Sequence, residues 1–418
     1  MDTYRARVVD AELTERLSSL GAVLIEGPRA CGKTETARRR AASEVLLDVD
    51  VAAIEAAALD PRLVLAGPRP RLIDEWQIAP TIWNHVRRAS DDAGEPGQFI
   101  LTGSSAPTDD ITRHSGAGRI SRLRMRPMSL LESGISTGDV SLRSMLRSVG
   151  VSGRDSGLVL GDLIEWTCRG GWPGTVDESL GRSCRFVRDY LDEVRRADLR
   201  HLDGTRRDPA LVLQVLRSLS RNVSTEASSR TLAADAGGSG GPIDPRTLKS
   251  YVGVLERVFV VETQLAWAPQ IRSRSVLRKA PKLHFVDPSL AVAALRTGPD
   301  QLLSDLSTYG LLFKSLVVRD LRVYAQANDA DVRHYRDNTG LEVDAIVQAF
   351  DGSWMAFEIK LGGQQRIDEA AKNLLRFRDR VDTSTVGEPS KLGVITATGY
   401  AIERPDGVAV IPIGTLGP

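Results

Sequence analysis

Lysine is scarce in this sequence, and cysteine is scarcer still. Of the 55 Lys and Arg residues among 418, only eight are lysine. The three cysteines, Cys31, Cys168 and Cys184, show no CxxC pair and no zinc-site spacing. An odd, sparse set of cysteines is typical of proteins in a reducing compartment, so we expect a cytoplasmic location.

Long apolar runs and a strong net charge are also missing. No window approaches the roughly eighteen consecutive apolar residues of a membrane span, and the first twenty residues lack the apolar core of a signal peptide. The formal net charge is +1, so no overall field attracts nucleic acid. We therefore expect no membrane partner, and any nucleic-acid site must be a local patch.

A glycine-rich loop follows a short apolar run near the start of the chain. Residues 22–25 predict a buried parallel strand, and "GPRACGKT" then matches GxxxxGK[ST] before a predicted helix. Glycines let backbone N–H groups close around phosphates, and the helix start adds a favourable partial charge. Lys33 would reach the β- and γ-phosphates of ATP, and Thr34 would ligate Mg²⁺. The predicted ATP-binding residues are Gly27, Pro28, Arg29, Ala30, Cys31, Gly32, Lys33, Thr34 and Glu35.

Two later runs predict strands that end in polar residues. "RLIDEWQ" places Asp74 and Glu75 at a strand end, which is the edge of a parallel sheet where ligands bind. Asp74 would hold the Mg²⁺, and Glu75 would polarise the attacking water. "QFILTGSSA" ends in Thr102, Ser104 and Ser105, which would either sense the γ-phosphate or serve as a helix cap.

Arginines follow in "GRISRLRMRPMSLLE". Arg122, Arg124 and Arg126 alternate with apolar residues, which predicts three guanidinium groups on one strand face. These groups would bind a phosphate backbone or the acids of a neighbouring subunit. Arg119 is the candidate arginine finger, supplied across a subunit interface, and it would make the protein a homo-oligomer. A solvated strand face is the simpler alternative.

The middle of the chain has the pattern of a winged helix. Three predicted helices lie between Asp208 and Val258, and "FVVETQLAWA" would be the wing strand. The third helix begins at Pro245 after Asp244, which suits an N-cap followed by proline. It would present Arg246 and Lys249 to DNA or RNA. A helical packing module without nucleic-acid contact is the alternative.

"LEVDAIVQAFDGSWMAFEIK" predicts a β-hairpin that carries acids and a lysine. With a three-residue loop and Gly352 at positive φ, Asp344 lies opposite Glu358, and Lys360 shares their face. Asp344 and Glu358 would ligate Mg²⁺ or Mn²⁺, and Lys360 would orient a water. This arrangement resembles the PD-(D/E)xK nuclease core. At the place where many such nucleases offer a helix glutamate, this chain has Lys314.

The motifs in this order resemble a family of bacterial and archaeal AAA-type P-loop ATPases with a C-terminal domain of unknown function. "GGWPG", "YLDEVRRADL" and "KLHFVDPSLA" belong to the resemblance, which covers nearly the whole chain. It implies ATP binding and an ATPase core of a sheet and helices. It does not imply a defined cellular task.

We therefore predict an α/β protein with a parallel-sheet P-loop ATPase domain, a winged-helix-like middle and a nuclease-like end. The predicted divisions are an ATPase domain (1–134), a linker and helical connector (135–205), a winged-helix-like module (206–300) and a nuclease-like domain (301–418). ATP hydrolysis would be coupled to nucleic-acid binding by the C-terminal half. The alternatives are an ATP-controlled switch that docks a protein through a degenerate nuclease fold, or an active metal-dependent nuclease.

Overall fold

The computed structural model of the protein describes residues 4–105, 115–198, 207–269 and 280–418. They form an α/β protein whose chain divides into two compact units. The first unit contains residues 4–127 and Arg257–Phe259, and the second contains Met128–Arg196, Arg207–Glu256 and Val260–Pro418.

A parallel five-stranded sheet is the centre of the first unit, in the order β2-β3-β4-β1-β5. Its strands are β1 (Ala22–Glu26), β2 (Ser43–Leu46), β3 (Arg71–Asp74), β4 (Phe99–Gly103) and β5 (Ile120–Arg124). Because all strands run parallel, their carboxyl ends meet at one edge of the sheet. The glycine-rich loop, Asp74 and Ser104 therefore lie at that edge.

Helices cover both faces of this sheet. They are α1 (Val9–Ser19), α2 (Lys33–Arg38), α3 (Val51–Leu59), α4 (Pro61–Leu65) and α5 (Ile82–Ala93). Alternate residues of β1 enter two separate apolar cores: Leu24 packs with Trp83 of α5, and Val23 packs with Leu13 of α1. Burial on both faces explains why the strands read as continuous apolar runs in the sequence.

Eleven α-helices of four or more residues lie in the described part of the second unit or at its boundary. They are α6 (Leu142–Leu146), α7 (Leu160–Arg169), α8 (Leu180–Glu193), α9 (Pro209–Arg221), α10 (Ser229–Gly237), α11 (Pro245–Arg257), α12 (Pro288–Leu295), α13 (Pro299–Ser304), α14 (Leu306–Gln326), α15 (Gln364–Arg378) and α16 (Thr383–Val386). Asp208 and Asp287 each cap a helix whose first residue is proline, a combination that fixes the helix start.

A mixed six-stranded sheet forms the C-terminal part of the second unit, in the order β13-β14-β12-β11-β10-β9. The unit's strands are β6 (Val140–Ser141), β7 (Val261–Gln264), β8 (Lys282–Phe285), β9 (Ala330–Arg336), β10 (Glu342–Ala349), β11 (Trp354–Lys360), β12 (Lys391–Thr396), β13 (Ile402–Glu403), β14 (Val408–Pro412) and β15 (Leu416–Gly417). α14 and α15 pack against this sheet, and Trp267, Trp354 and Phe377 lie in the apolar core beside α15.

Two parts of the second unit bear on the predicted divisions. The helices α9, α10 and α11 precede β7, which pairs antiparallel with β8, in the chain order expected of a winged helix. The segment after residue 134 is integrated into the unit, because β6 pairs with β15 and the Ser136 hydroxyl donates to the Leu416 carbonyl at 2.7 Å. The four-part division itself stays a prediction.

A buried ion cluster joins distant motifs of the second unit. Arg319 donates to Asp287 at 2.8 Å and lies 2.7 Å from Asp320, and all three side chains are almost fully buried. Asp287 also accepts from the Gly171 N–H at 2.9 Å, and Asp320 accepts from the Leu130 N–H at 3.0 Å. "PMSLLE", "GGWPG" and "FVDPSLA" thus converge on α14.

Candidate functional site

The glycine-rich loop between β1 and α2 has a backbone that demands small residues. Gly32 has φ +98°, and Ala30 also lies in the left-handed region with φ +58°. At Gly27 a Cβ atom would lie 2.0 Å from the Met125 carbonyl oxygen, so a side chain cannot fit there without moving the backbone. The sequence pattern of this loop is therefore a requirement of its geometry.

Lys33 lies inside the loop rather than in solvent. Its side chain is buried, and Nζ donates to the carbonyls of Gly27 at 3.0 Å and Pro28 at 2.8 Å. Both partners are neutral, so a phosphate could compete for the ammonium group. Glu35 points away and pairs with Arg38 at 2.6 Å on the surface.

Asp74 meets the loop at the carboxyl edge of the sheet. The Thr34 hydroxyl donates to Asp74 Oδ1 at 2.8 Å, and the Thr102 hydroxyl donates to the same oxygen. β4 lies between β1 and β3, so Thr102 bridges the gap between the two motifs. Thr34 and Asp74 bring two hard oxygens together, as a magnesium site requires.

Glu75 is held by polar contacts at the end of the same strand. It adopts φ +52°, which is unusual for a residue other than glycine. Its Oε2 accepts from the Ser104 hydroxyl at 2.8 Å and from Gln77 Nε2, and its N–H donates to Thr102 Oγ1 at 3.2 Å. A strained backbone supported by several hydrogen bonds is common where a carboxylate must be aimed.

Arg7 and Tyr4 support the loop although they belong to no predicted site. Arg7 is buried and donates to the carbonyls of Cys31 and Arg126, both at 2.7 Å, so it supports the loop from below. The Tyr4 hydroxyl shares a hydrogen bond with Thr36 of α2 at 2.9 Å. "YRARVVD" matches no motif, and nothing in the sequence identifies these residues as loop supports.

Arg119 lies at the opposite edge of the first unit's sheet. It precedes the first residue of β5, whereas the loop follows the last residue of the parallel β1. Its Nε donates to Asp91 at 2.7 Å. At about 3.3 Å per strand residue it cannot reach the loop of its own chain, so a finger role would require a second copy and stays a prediction.

Arg246 and Lys249 are both exposed on α11. Asp244 caps this helix by accepting from the Arg246 N–H at 2.6 Å. The side chains point into solvent, as a nucleic-acid contact needs, yet two exposed cations are also an ordinary helix surface. Their role stays a prediction.

The hairpin has the register that the three-residue loop predicts. Ala345 pairs with Phe357 and Gln348 with Trp354, so Asp344 stands opposite Glu358. Gly352 has φ +93°, as that loop requires. This register prediction is confirmed.

Amine and amide groups already occupy the two carboxylates. Asp344 Oδ1 accepts from Lys314 Nζ at 2.5 Å, and Oδ2 accepts from the Ile359 N–H at 3.0 Å. Glu358 accepts from Asn373 at 2.6 Å and from Lys360 at 2.7 Å.

A third lysine lies at the same place. Lys282 Nζ is 3.7 Å from Asp344 Oδ1 and 2.5 Å from Glu342, and its side chain is 2% exposed. Lys282 and Asn373 belong to no motif of the sequence: Lys282 lies 60 residues or more before the acids it contacts, and Asn373 lies on α15, 15 residues after Glu358.

The electrostatics of this cluster separate its two acids. Burial opposes ionisation of Asp344, but Lys314, Lys282 and Lys360 outweigh it and hold the pKa of Asp344 well below its usual range. Burial, together with the charge of Asp344, raises the pKa of Glu358 to about 7. Within the described ranges, no group of three or more His, Cys, Asp or Glu side chains is placed to hold a metal ion.

Comparisons with known proteins match three separate segments. A family model described as "AAA domain" matches residues 20–133. "Domain of unknown function (DUF8612)" matches residues 160–301, and "Domain of unknown function (DUF4143)" matches residues 309–416. No curated protein matches the chain.

Among solved structures, the chain is similar to the Walker-type ATPase PABY2304 of Pyrococcus abyssi. The identity is 13%, the TM-score is 0.43, and the match covers 68% of this chain and 94% of that one. At these values the likeness carries no inference about function.

Residues 20–133 are therefore similar to a AAA-type P-loop domain, and the family match supports ATP binding and hydrolysis by this region. The nuclease resemblance of the C-terminal segment has no such support. Of the helices in the described residues, none is both long and apolar enough to cross a membrane.

Proposed function

We propose that the protein hydrolyses ATP with Mg²⁺ at the loop 27–34, and that this activity controls its C-terminal half. The observation that supports the ATPase activity is the contact between the glycine-rich loop and the end of β3. Thr34 donates to Asp74 at 2.8 Å, and Lys33 donates to two loop carbonyls. Each group needed for phosphate binding lies at one edge of one sheet.

The residues fit a magnesium ion bound with nucleotide. Thr34 and Asp74 would hold it, and the ion would neutralise charge on the phosphates. Lys33 would exchange its two carbonyl partners for phosphate oxygens. Glu75 would orient the attacking water and accept its proton, and Ser104 would keep that carboxylate in place.

The test is ATP turnover by Lys33→Ala in the full-length chain. Loss of the ammonium group that binds the phosphates should reduce hydrolysis to background. Lys372→Ala, which removes an exposed lysine of α15, is the matched control and should retain the wild-type rate. Unchanged hydrolysis by Lys33→Ala would refute the assignment.

For the C-terminal half we propose nucleic-acid binding through α11, supported by the exposure of Arg246 and Lys249 at its start. Positively charged contacts of this kind depend on salt and bind phosphate backbones. DNA or RNA should then stimulate ATP hydrolysis, and the double charge reversal Arg246→Glu with Lys249→Glu should abolish the stimulation.

The competing function is an ATP-controlled switch that docks a protein. A rate of hydrolysis that does not change on addition of DNA or RNA would favour this alternative. Arg230→Glu, a charge reversal at an exposed position of α10, controls for general charge effects in the stimulation assay. An arginine finger at Arg119 would further make turnover depend on protein concentration, since a second copy must supply it.

A further inference from the structure

We propose that the Asp344–Glu358 pair is a metal-free ion-pair joint in which lysine ammonium groups stand where a nuclease would bind its metal ion. The joint ties the segment 160–301 to the segment 309–416, the two segments that match families of unknown function. The hairpin that suggested a nuclease would thus hold the second unit together.

The carboxylate oxygens of the pair already accept hydrogen bonds from the protein. Each of the four oxygens of Asp344 and Glu358 has an N–H donor within 3.0 Å: Lys314, the Ile359 backbone, Asn373 or Lys360. A divalent ion takes such oxygens as ligands at about 2.0–2.6 Å and would have to displace these donors. The residues at this place do not fit a metal site.

The carboxylates of the cluster also have lysine counter-charges. Lys282, Lys314 and Lys360 lie within 4.0 Å of the three acids Glu342, Asp344 and Glu358. The three ammonium groups thus match the three carboxyl groups in number before any ion enters, and Arg336 lies a further 4.0 Å from Glu342. A divalent ion would add two uncompensated charges next to side chains that are mostly buried, which is unfavourable.

The three lysines come from both segments of the second unit. Lys282 belongs to β8 in the segment 160–301, whereas Lys314 belongs to α14 and Lys360 to β11 in the segment 309–416. Gln264 of β7 adds an amide that donates to the Asp344 backbone carbonyl at 3.1 Å. Asp344 is therefore the acid on which both segments converge.

A joint and a metal site respond in opposite ways to removal of a carboxylate. In a metal-free nuclease site, neighbouring acids repel each other, so neutralising one stabilises the protein. In the joint, Asp344→Asn leaves buried ammonium groups without their acid. We expect Asp344→Asn to lower Tm by roughly 6–20 °C, as breaking a buried ion pair does in a domain of this size.

The experiment measures thermal unfolding of the full-length, nucleotide-free protein with and without Mn²⁺, for the wild type, Asp344→Asn and Lys314→Gln. We expect both variants to lower Tm, Lys314→Gln by about 2–6 °C because its side chain is partly exposed. Lys372→Gln should leave Tm unchanged. Mn²⁺ should shift the wild type and Lys314→Gln equally.

Two outcomes would overturn the proposal. One is a Tm that stays the same or rises in Asp344→Asn or Lys314→Gln. The other is a Mn²⁺-induced rise in the wild type that Asp344→Asn lacks, together with Mn²⁺-dependent cleavage of labelled DNA or RNA. If Asp344→Asn fails to fold, the Tm and Mn²⁺ response of Lys314→Gln decide the matter.

Discussion

The loop site of the first unit and the Asp344–Glu358 site of the second both combine lysine with carboxylates, but their lysines have different partners. Lys33 bonds to neutral backbone carbonyls, and Asp74 bonds to hydroxyl groups. Lys314 and Lys360 instead bond directly to acids. The first site can exchange its contacts for a charged ligand. In the second site the lysine ammonium groups are already paired with the carboxylates of the same site.

This difference shows that a sequence motif does not include the residues from other elements that contact it. GxxxxGK[ST] includes the residues that determine its own backbone, so its pattern describes most of the site. Asp…Glu-x-Lys describes only one hairpin, and lysines from two other elements decide what its acids can bind. The same residue types therefore predict a ligand site in both units, but in the second the lysines already bond to the acids.

The largest expected effect comes from changing one acid in each site. Glu75→Gln should lower ATP turnover by roughly 10²-fold or more, because it removes the carboxylate that we propose polarises the attacking water. Glu358→Gln should leave turnover unchanged, since its contacts lie within the second unit. Steady-state hydrolysis measures both, and nucleotide binding by Glu75→Gln shows that the loop is intact. Equal rates for Glu75→Gln and wild type would remove the contrast.

The buried ion cluster on α14 should carry the next largest effect. Arg319→Met leaves Asp287 and Asp320 buried without their cation, which should cost about 3–5 kcal/mol of unfolding free energy. Urea denaturation measures this loss. Arg182→Met breaks an exposed pair with Glu178 and should cost less than about 1 kcal/mol. Similar losses in the two variants would mean that burial does not matter here.

Acid should destabilise the second unit through His284. Burial, aided by the positive charges of Arg322 and Lys282 against Glu262, holds the pKa of His284 well below 6.5. The unfolded chain therefore binds a proton first, so stability is lost as pH falls below about 6.5, at up to roughly 1.4 kcal/mol per pH unit.

The variant His284→Gln tests this slope. It should flatten the loss of stability between pH 6.5 and 5, measured by urea denaturation at several pH values. The slope that remains is the balance of two groups: burial also lowers the pKa of His334 to about 4, which adds to the loss, and the raised pKa of Glu358, about 7, opposes it. A slope as steep as that of the wild type would show that His284 is not the group responsible.

The smallest expected effects come from the residues that hold each acid. Ser104→Ala removes the hydroxyl that donates to Glu75 and should lower turnover several-fold, about the worth of one hydrogen bond. Asn373→Ala removes the amide that donates to Glu358 and should lower Tm by a few degrees while leaving turnover unchanged. Reversed effects would contradict the division of roles between the sites.

Local chemistry made much of the fold predictable. Burial on both faces marks β1 and β4, and the positive φ of Gly352 sets the register that brings Asp344 and Glu358 together. Arg7 and Lys282 were not predictable in this way, because the Arg7 side chain donates to a carbonyl 24 residues away and Lys282 pairs with acids 60 and 62 residues away. Only the folded chain brings such residues together.

The bond from the Leu130 N–H to Asp320 has a consequence for synthesis of the protein. The two residues are 190 positions apart and both are buried. At about 5–20 residues per second, the ribosome needs roughly 10–40 s to supply the acid after Leu130 has been made. During that interval the first unit can fold. "PMSLLE" lacks its Asp320 partner in the same interval, so its backbone is open to chaperones and proteases.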